Sequence, residues 1–252
     1  MSSIIELMSG HSKWSKIKRD KEAKDKQKGN IFSKMSHLIT LAVIDGGGNK
    51  DPESNVKLRL AIEKAKKANM PKVNIDRAIE KGTGPDGQQL KQIIYEAFAP
   101  GGISLIILAT SDNINRTLSD VRGAVESHGG KLGNQGSVLH FFKKCGLAVF
   151  RASEVREEAV LGFAEKIGAF DIDRDEEFYL LYFPYELIGK IKEYLGGLKV
   201  DSIEEDFKPY TLVDISDKNL AKKVLEFIEH LESLDDVQKV YTNLNVPNEF
   251  VN

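Results

Sequence analysis

Apolar residues recur at helical spacing over the first third of the chain. Ile31, Met35, Leu38, Ile39 and Ala42 fall on one helix face, and Gly46-Gly47-Gly48 stops the run. A second helix is announced by Asp51 as N-cap and Pro52 in the first turn, carries Leu58, Ala61, Ile62 and Ala65 on one face, and ends at Asn69 before Met70-Pro71. A third runs from about Asn74 to Lys81, with Ile75, Ala78 and Ile79 inward and Gly82 at its end. The pattern predicts a small helical bundle.

After Gly84 the period changes to two. Ile93–Ala99 and Ile103–Ala109 flank Pro100-Gly101-Gly102 and read as a hairpin; a helix capped at Asp112/Asn113 runs to His128, and Ser137–Phe142 is the next expected strand. The alternation then restarts with Leu147–Arg151 as strand, Glu154–Ile167 as helix, Phe170–Asp173 and Phe178–Phe183 as a hairpin, Pro184–Leu195 as helix and Val200–Phe207 as strand. That order, β-α-β-β-α-β, is the split βαβ or ferredoxin-like unit. Thr211–Ile215, the helix Asp217–Leu231 and the strand Val237–Leu244 supply the α-β missing from the earlier half. The expected class is therefore α/β, of α+β type, in three domains. These are a basic arm with a helical bundle over 1–82, an α+β domain made of 83–143 plus 209–252, and a ferredoxin-like α+β domain over 144–208 inserted into it.

Composition narrows the function. A chain of 252 residues with 41% hydrophobic and 29% charged residues belongs to the globular class, and its longest apolar run, Ile103–Ala109, is far too short to cross a bilayer. Met1–Met8 contains Glu6 and lacks a basic n-region, so it does not read as a secretory signal. The single cysteine, Cys145, excludes an internal disulfide and a cysteine-rich zinc site, and the expectation is a cytoplasmic protein without metal or cofactor, membrane contact or small-molecule substrate. The net charge of -2 conceals an asymmetry. Up to Gly82 there are 18 Lys+Arg against 10 Asp+Glu, whereas the remainder has 18 against 28. A basic end on an acidic body points to a polyanion partner for that end.

No catalytic constellation stands out. The five histidines, His11, His37, His128, His140 and His230, show no metal-ligand spacing and no neighbouring nucleophile. Gly82-Thr83-Gly84-Pro85-Asp86-Gly87 matches the dinucleotide fingerprint in letters, but it follows a helix and contains proline, so it reads as a linker. Asp112-Asn113-Ile114-Asn115-Arg116-Thr117 is a polar cluster at a helix mouth. It reads either as an N-cap with Arg116 paired to an acid, or as an anion contact. The basic segment 11–28 is the sharpest signal, with Lys13, Lys16, Lys18, Arg19, Lys21, Lys24, Lys26 and Lys28 against three acids. Within it His11 and Trp14 offer flat rings able to stack on unpaired bases, unless Trp14 instead anchors the arm to the bundle. The second and third helices add Lys57, Arg59, Lys64, Lys66, Lys67, Lys72 and Arg77 around a Met-Pro turn, an arrangement compatible with groove binding and equally with a structural bundle.

Several blocks together resemble the YebC/PmpR family, which includes the mitochondrial translational activator of cytochrome c oxidase. They are Ser9-Gly10-His11-Ser12-Lys13-Trp14, Asp51-Pro52-Glu53-Ser54-Asn55, Leu58–Ala65, Ala68-Asn69-Met70-Pro71-Lys72 and Lys81-Gly82-Thr83-Gly84. Tyr95-Glu96, Pro100-Gly101-Gly102, Asn115-Arg116-Thr117, His128-Gly129-Gly130, Gly136-Ser137-Val138 and Asp235-Asp236-Val237-Gln238 continue the likeness over nearly the whole chain. Asn30, Val56 and Asn49-Lys50 depart from it. The resemblance implies three domains and a non-enzymatic regulator of gene expression. In some members that means DNA-binding transcriptional control, in others ribosome-associated help with difficult, proline-rich stretches. It puts His11, Lys13, Trp14, Lys16, Arg19 and Lys28 in the family's basic N-terminal segment. Together with Lys18, Lys24, Lys57, Arg59, Lys72, Arg77 and Arg116, these are the expected contacts to nucleic acid, DNA first and ribosomal RNA as the alternative.

Overall fold

The computed structural model describes residues 28–84, 90–174 and 176–246, with side chains from Ile31 onward. Three helices open it: α1 (Lys28–Asp45), α2 (Val56–Lys67) and α3 (Lys72–Lys81). Their shared core is Met35, Ile39, Ala42, Val43, Leu58, Ala65, Met70, Ile75 and Ala78, the apolar stripes expected from the 3.6-residue period. Helix α2 starts four residues later than the Asp51 cap predicts. Asp51 is occupied in its own turn, accepting from the Glu53 N–H at 3.0 Å and the Ser54 hydroxyl at 2.9 Å. Asn55 is the true cap, its Oδ1 accepting from the Leu58 N–H at 3.1 Å.

The first sheet has the order β3-β1-β2-β9, built from β1 (Lys91–Ala99), β2 (Ile103–Ser111), β3 (Lys131–Leu132) and β9 (Val237–Thr242). Strands β1 and β2 pair antiparallel from Lys91↔Ser111 to Ala99↔Ile103, and Gly101 and Gly102 turn between them at φ 83° and 75°, where a β-carbon would be strained. All nine residues of β2 are buried, as befits a central strand. Helix α4 (Ile114–Ser127) crosses from β2 to β3 with β1 lying between those strands, and α7 (Lys218–Ser233) leads into β9.

Ser137–Phe142 is not a strand of this sheet. The third strand is the two-residue β3, and residues 133–139 fold back over buried Glu96, whose carboxylate accepts the N–H groups of Gly136, Val138 and Leu139 at 2.6, 2.5 and 2.8 Å. A buried carboxylate requires such donors, and the loop supplies them at the expense of a ladder.

The second sheet has the order β5-β6-β4-β7, from β4 (Phe142–Arg151), β5 (Asp171–Arg174), β6 (Phe178–Pro184) and β7 (Ser202–Pro209), all antiparallel. Helix α5 (Glu157–Ile167) joins β4 to β5. The expected helix Pro184–Leu195 is broken into a 3-10 turn at Tyr185–Leu187 and the short α6 (Ile191–Tyr194), with Gly189 between them. Residues 211–215 also differ from expectation: β8 (Val213–Asp214) leaves the main sheets and pairs in parallel with β10 (Leu244–Asn245). The described residues form two compact units, 28–140 with Ile215–Thr242, and Phe141–Asp214 with 243–246. The helical bundle shares the first unit with the first sheet, where the Lys34 ammonium donates to the Glu232 carbonyl. Among the described residues no helix is long and apolar enough to cross a membrane.

Candidate nucleic-acid interface

The α2–α3 pair is set by its connection. The Ala68 N–H closes the end of α2, Asn69 takes a left-handed φ of 58°, Met70 is buried in the bundle core, and Pro71 enters α3. Leu58, Ala65, Ile75 and Ala78 are buried, and most of the fully exposed positions of the two helices are cationic: Lys57, Lys64, Lys66, Lys67, Lys72, Arg77 and Lys81, beside Glu63, Val73, Asp76 and Glu80. Between Val56 and Gly84 there are eight Lys+Arg and three Asp+Glu. Lys64, Lys66 and Lys67 crowd the last turn of α2, where they also complement the helix dipole. Lys66, Lys72, Arg77 and Lys81 are exposed and make no ion pair with another described residue.

Other basic positions are engaged within the fold. Lys57 pairs with Asp45 at 2.6 Å. Arg59 is half-buried, its guanidinium near the Pro52 and Glu53 carbonyls at 3.4 Å, and its Nε has no partner among the described residues. Lys28 is the first residue of α1. His11, Lys13, Trp14, Lys16, Lys18, Arg19 and Lys24 lie outside the described residues.

Arg116 sits elsewhere in the same unit, at the mouth of α4. Asn113 caps that helix by accepting from the Arg116 N–H at 3.1 Å. The Arg116 guanidinium donates to Asp236 at 3.0 Å and Asp112 at 3.1 Å. Asp236 also lies 2.6 Å from the Thr117 hydroxyl and 3.1 Å from that of Ser111. Burial pushes the Asp236 carboxyl upward, but the hydrogen bonds from Thr117, Arg116 and Ser111 outweigh it and hold the group below the ordinary carboxylate value. The polar cluster is thus a helix cap with an acid-paired arginine, the first of the two readings its sequence allowed. Its acceptor, Asp236, lies 120 residues away and was beyond any spacing argument. A cavity of about 570 Å³ lies beside it, lined by Ser33, His37, Thr117 and Asp120 among others.

Among the described histidines, His37 and His128 are half-buried, whereas His140 and His230 are exposed. His128 stacks on Phe227 with ring centroids 5.1 Å apart, and His230 lies 4.9 Å from it, a pairing that sequence spacing did not show. Among the described residues no group of three or more His, Cys, Asp or Glu is placed to hold a metal ion.

Comparison with known proteins places this geometry. Residues 12–85 match the TACO1/YebC protein N-terminal domain, and residues 90–244 match the TACO1/YebC second and third domain. A probable transcriptional regulatory protein of Aquifex aeolicus is 44% identical over 247 residues, covering 97% of this chain and 98% of the relative. One of the same description from Syntrophomonas wolfei is 42% identical over 250 residues, covering 97% and 99%. The crystal structure of a conserved hypothetical protein from Aquifex aeolicus superposes with a TM-score of 0.81 at 42% identity, over 89% of this chain and 93% of that one. Matched from bundle to last strand, the chain belongs to the TACO1/YebC family.

Proposed function

We propose that this protein is a non-enzymatic regulator of gene expression that binds DNA through its basic end. The observation that carries the reading is the separation of charge, with the cationic excess confined to the arm and the α2–α3 pair and the acidic excess to everything after Gly82. A double helix carries a phosphate every ~1.7 Å along its axis, and lysines aligned along two helices neutralise several phosphates without reading bases. Names of relatives as probable transcriptional regulators support the same reading. It assigns phosphate contact to Lys66, Lys72 and Arg77 and to the arm residues Lys13, Lys16, Lys18, Arg19, Lys24 and Lys28, with His11 as a stacking ring and Trp14 as a stacking or anchoring ring.

Binding of the full chain to duplex DNA and to a structured RNA of equal length, across a salt series, tests this. Affinity should fall steeply with salt, at roughly 0.9 log units per phosphate contact on duplex DNA and ~0.7 on single strands. Lys66→Ala, Lys72→Ala and Arg77→Ala together should lower that slope by about 2 to 3 while leaving the melting temperature in place. An unaltered slope removes the helix pair from the interface. Binding to the RNA alone replaces the DNA reading with a translational one.

A further inference from the structure

The outer edge of the first sheet is only half built. On that edge β3 pairs with Ala97 and Phe98 alone, and the Gly133 N–H adds one bond to the Glu96 carbonyl at 2.7 Å before residues 133–139 fold over the Glu96 carboxylate. Alternation along the strand turns the backbone N–H and C=O of Ile94 and Gln92 the same way as the Glu96 carbonyl. Strand β1 pairs with β2 on its other side over its whole length, and neither Ile94 nor Gln92 has a backbone partner on the open edge among the described residues. A groove of about 1080 Å³ runs along this edge. One wall is α4, on the side where the Tyr95 hydroxyl donates to the Ile114 carbonyl at 3.4 Å, and it presents Leu118, Arg122 and Glu126. The other wall is the 133–139 loop, on the side of Glu96, with Leu139. Between them Ile94 is 38% exposed. An open edge of this kind is a template for a further strand, which native folds normally blunt.

We propose that this groove docks an extended, acidic peptide segment of a partner protein, which adds to β1 antiparallel and in line with β3. Shape and charge select this occupant. The slot between α4 and the loop admits a single strand, whereas the β1 edge of a second copy would have to bring its own helix and loop past both walls. Arg122 and Lys131 in the groove, with Lys91 at the first residue of β1, outnumber the one unanswered carboxylate, Glu126, because Glu96 is already met by three N–H groups. None of Lys91, Arg122, Glu126 and Lys131 makes an ion pair with another described residue. Acids on the incoming strand answer those cations. Its side chains alternate between the two walls, so Leu118 and Leu139 each meet every second residue, while main-chain bonds to Ile94 and Gln92 hold it whatever its sequence. The site uses none of the cations assigned to nucleic acid, so it stands independently of that reading and gives the regulator a second, protein-directed surface.

Fluorescein-labelled, capped heptapeptides with valine at alternate positions, and either aspartate or lysine between them, serve as probes. In anisotropy titrations of the full chain at low salt, the aspartate peptide should bind about tenfold tighter than the lysine peptide, or more. Methylating its backbone nitrogens at alternate positions should abolish binding in one phase and spare it in the other, since only one set of N–H groups faces β1. Ile94→Pro removes an outward N–H without touching the β2 ladder and should weaken the aspartate peptide by about tenfold or more. Arg122→Glu, on an exposed position of α4, should lessen the preference for aspartate over lysine, and it tests the groove even if the proline variant does not fold. No binding of the aspartate peptide, equal binding of both peptides, or indifference to the phase of methylation overturns the proposal. So does a chain that sediments as a dimer until Ile94→Pro makes it a monomer, because a second copy then holds the edge.

Discussion

Asn55 joins three parts of the bundle with one amide. Its oxygen caps α2, while its Nδ2 donates to the Ala42 carbonyl at 2.9 Å and the Asn49 carbonyl at 3.0 Å, closing the glycine loop onto α1. Asn55→Ala should cost about 1–3 kcal/mol in urea unfolding, because it removes the cap and leaves buried carbonyls unmatched. Asn55→Asp keeps the cap but not the donors, so it should fall between; stability equal to wild type would show that the donors contribute nothing. Glu96 plays the corresponding part in the α+β region. Glu96→Gln turns an amide N–H₂ toward three N–H donors and should cost about 1–3 kcal/mol, with faster hydrogen exchange confined to residues 133–139 and β1.

At the scale of elements, α1 meets the mouth of α4 and the start of β9 around His37 and Asp236. His37 is partly buried, its Nδ1 has no partner among the described residues, and burial holds its pKa below the ordinary 6.5 despite the opposing pull of Asp236. The sign follows from linkage. The unfolded chain takes up this proton first as pH falls through about 6.5, so stability declines from there toward the lower folded pKa. His37→Gln should flatten the stability profile between about pH 7 and 5. Asp236 behaves alike in a lower window, since its folded pKa lies below 3.8: its stabilisation is present above that value and is lost as pH falls through the folded pKa. Asp236→Asn should therefore lower stability at neutral pH and lessen its further loss in acid. A pH profile identical to wild type in either variant would contradict the assignment.

At the scale of the molecule, the two units have separate cores, and their chain crossings fall near residues 141, 215 and 243. Such an arrangement favours unfolding in two steps. Leu180→Ala, in the second sheet, should lower the stability of one step by about 2–5 kcal/mol, and Ile107→Ala, in the first, that of the other. Urea unfolding followed by hydrogen exchange resolves them. A single transition shifted equally by both substitutions would show that the units unfold as one.

Local periodicity determined much of this protein. The three bundle helices, the hairpin around Pro100-Gly101-Gly102, α5, α7 behind its Asp217 cap and the strands of the second sheet are each legible in local pattern, where propensity and burial agree, whereas the helix expected over Pro184–Leu195 is broken. The charge division that points to a polyanion was equally visible, since it needs only counting. Tertiary structure decided the rest, wherever a polar group chose its partner across the fold. Asp51 reads as a helix cap until its own turn claims it, and Ser137–Phe142 reads as a strand until the Glu96 carboxylate draws its N–H groups aside. Arg116 reads either as paired to an acid or as open to an anion until Asp236, brought back beside it by β9, takes its guanidinium. Side-chain periodicity records which face is apolar, but a hydrogen bond between residues 120 apart leaves no period in the sequence, so only the folded chain shows which charges are already answered.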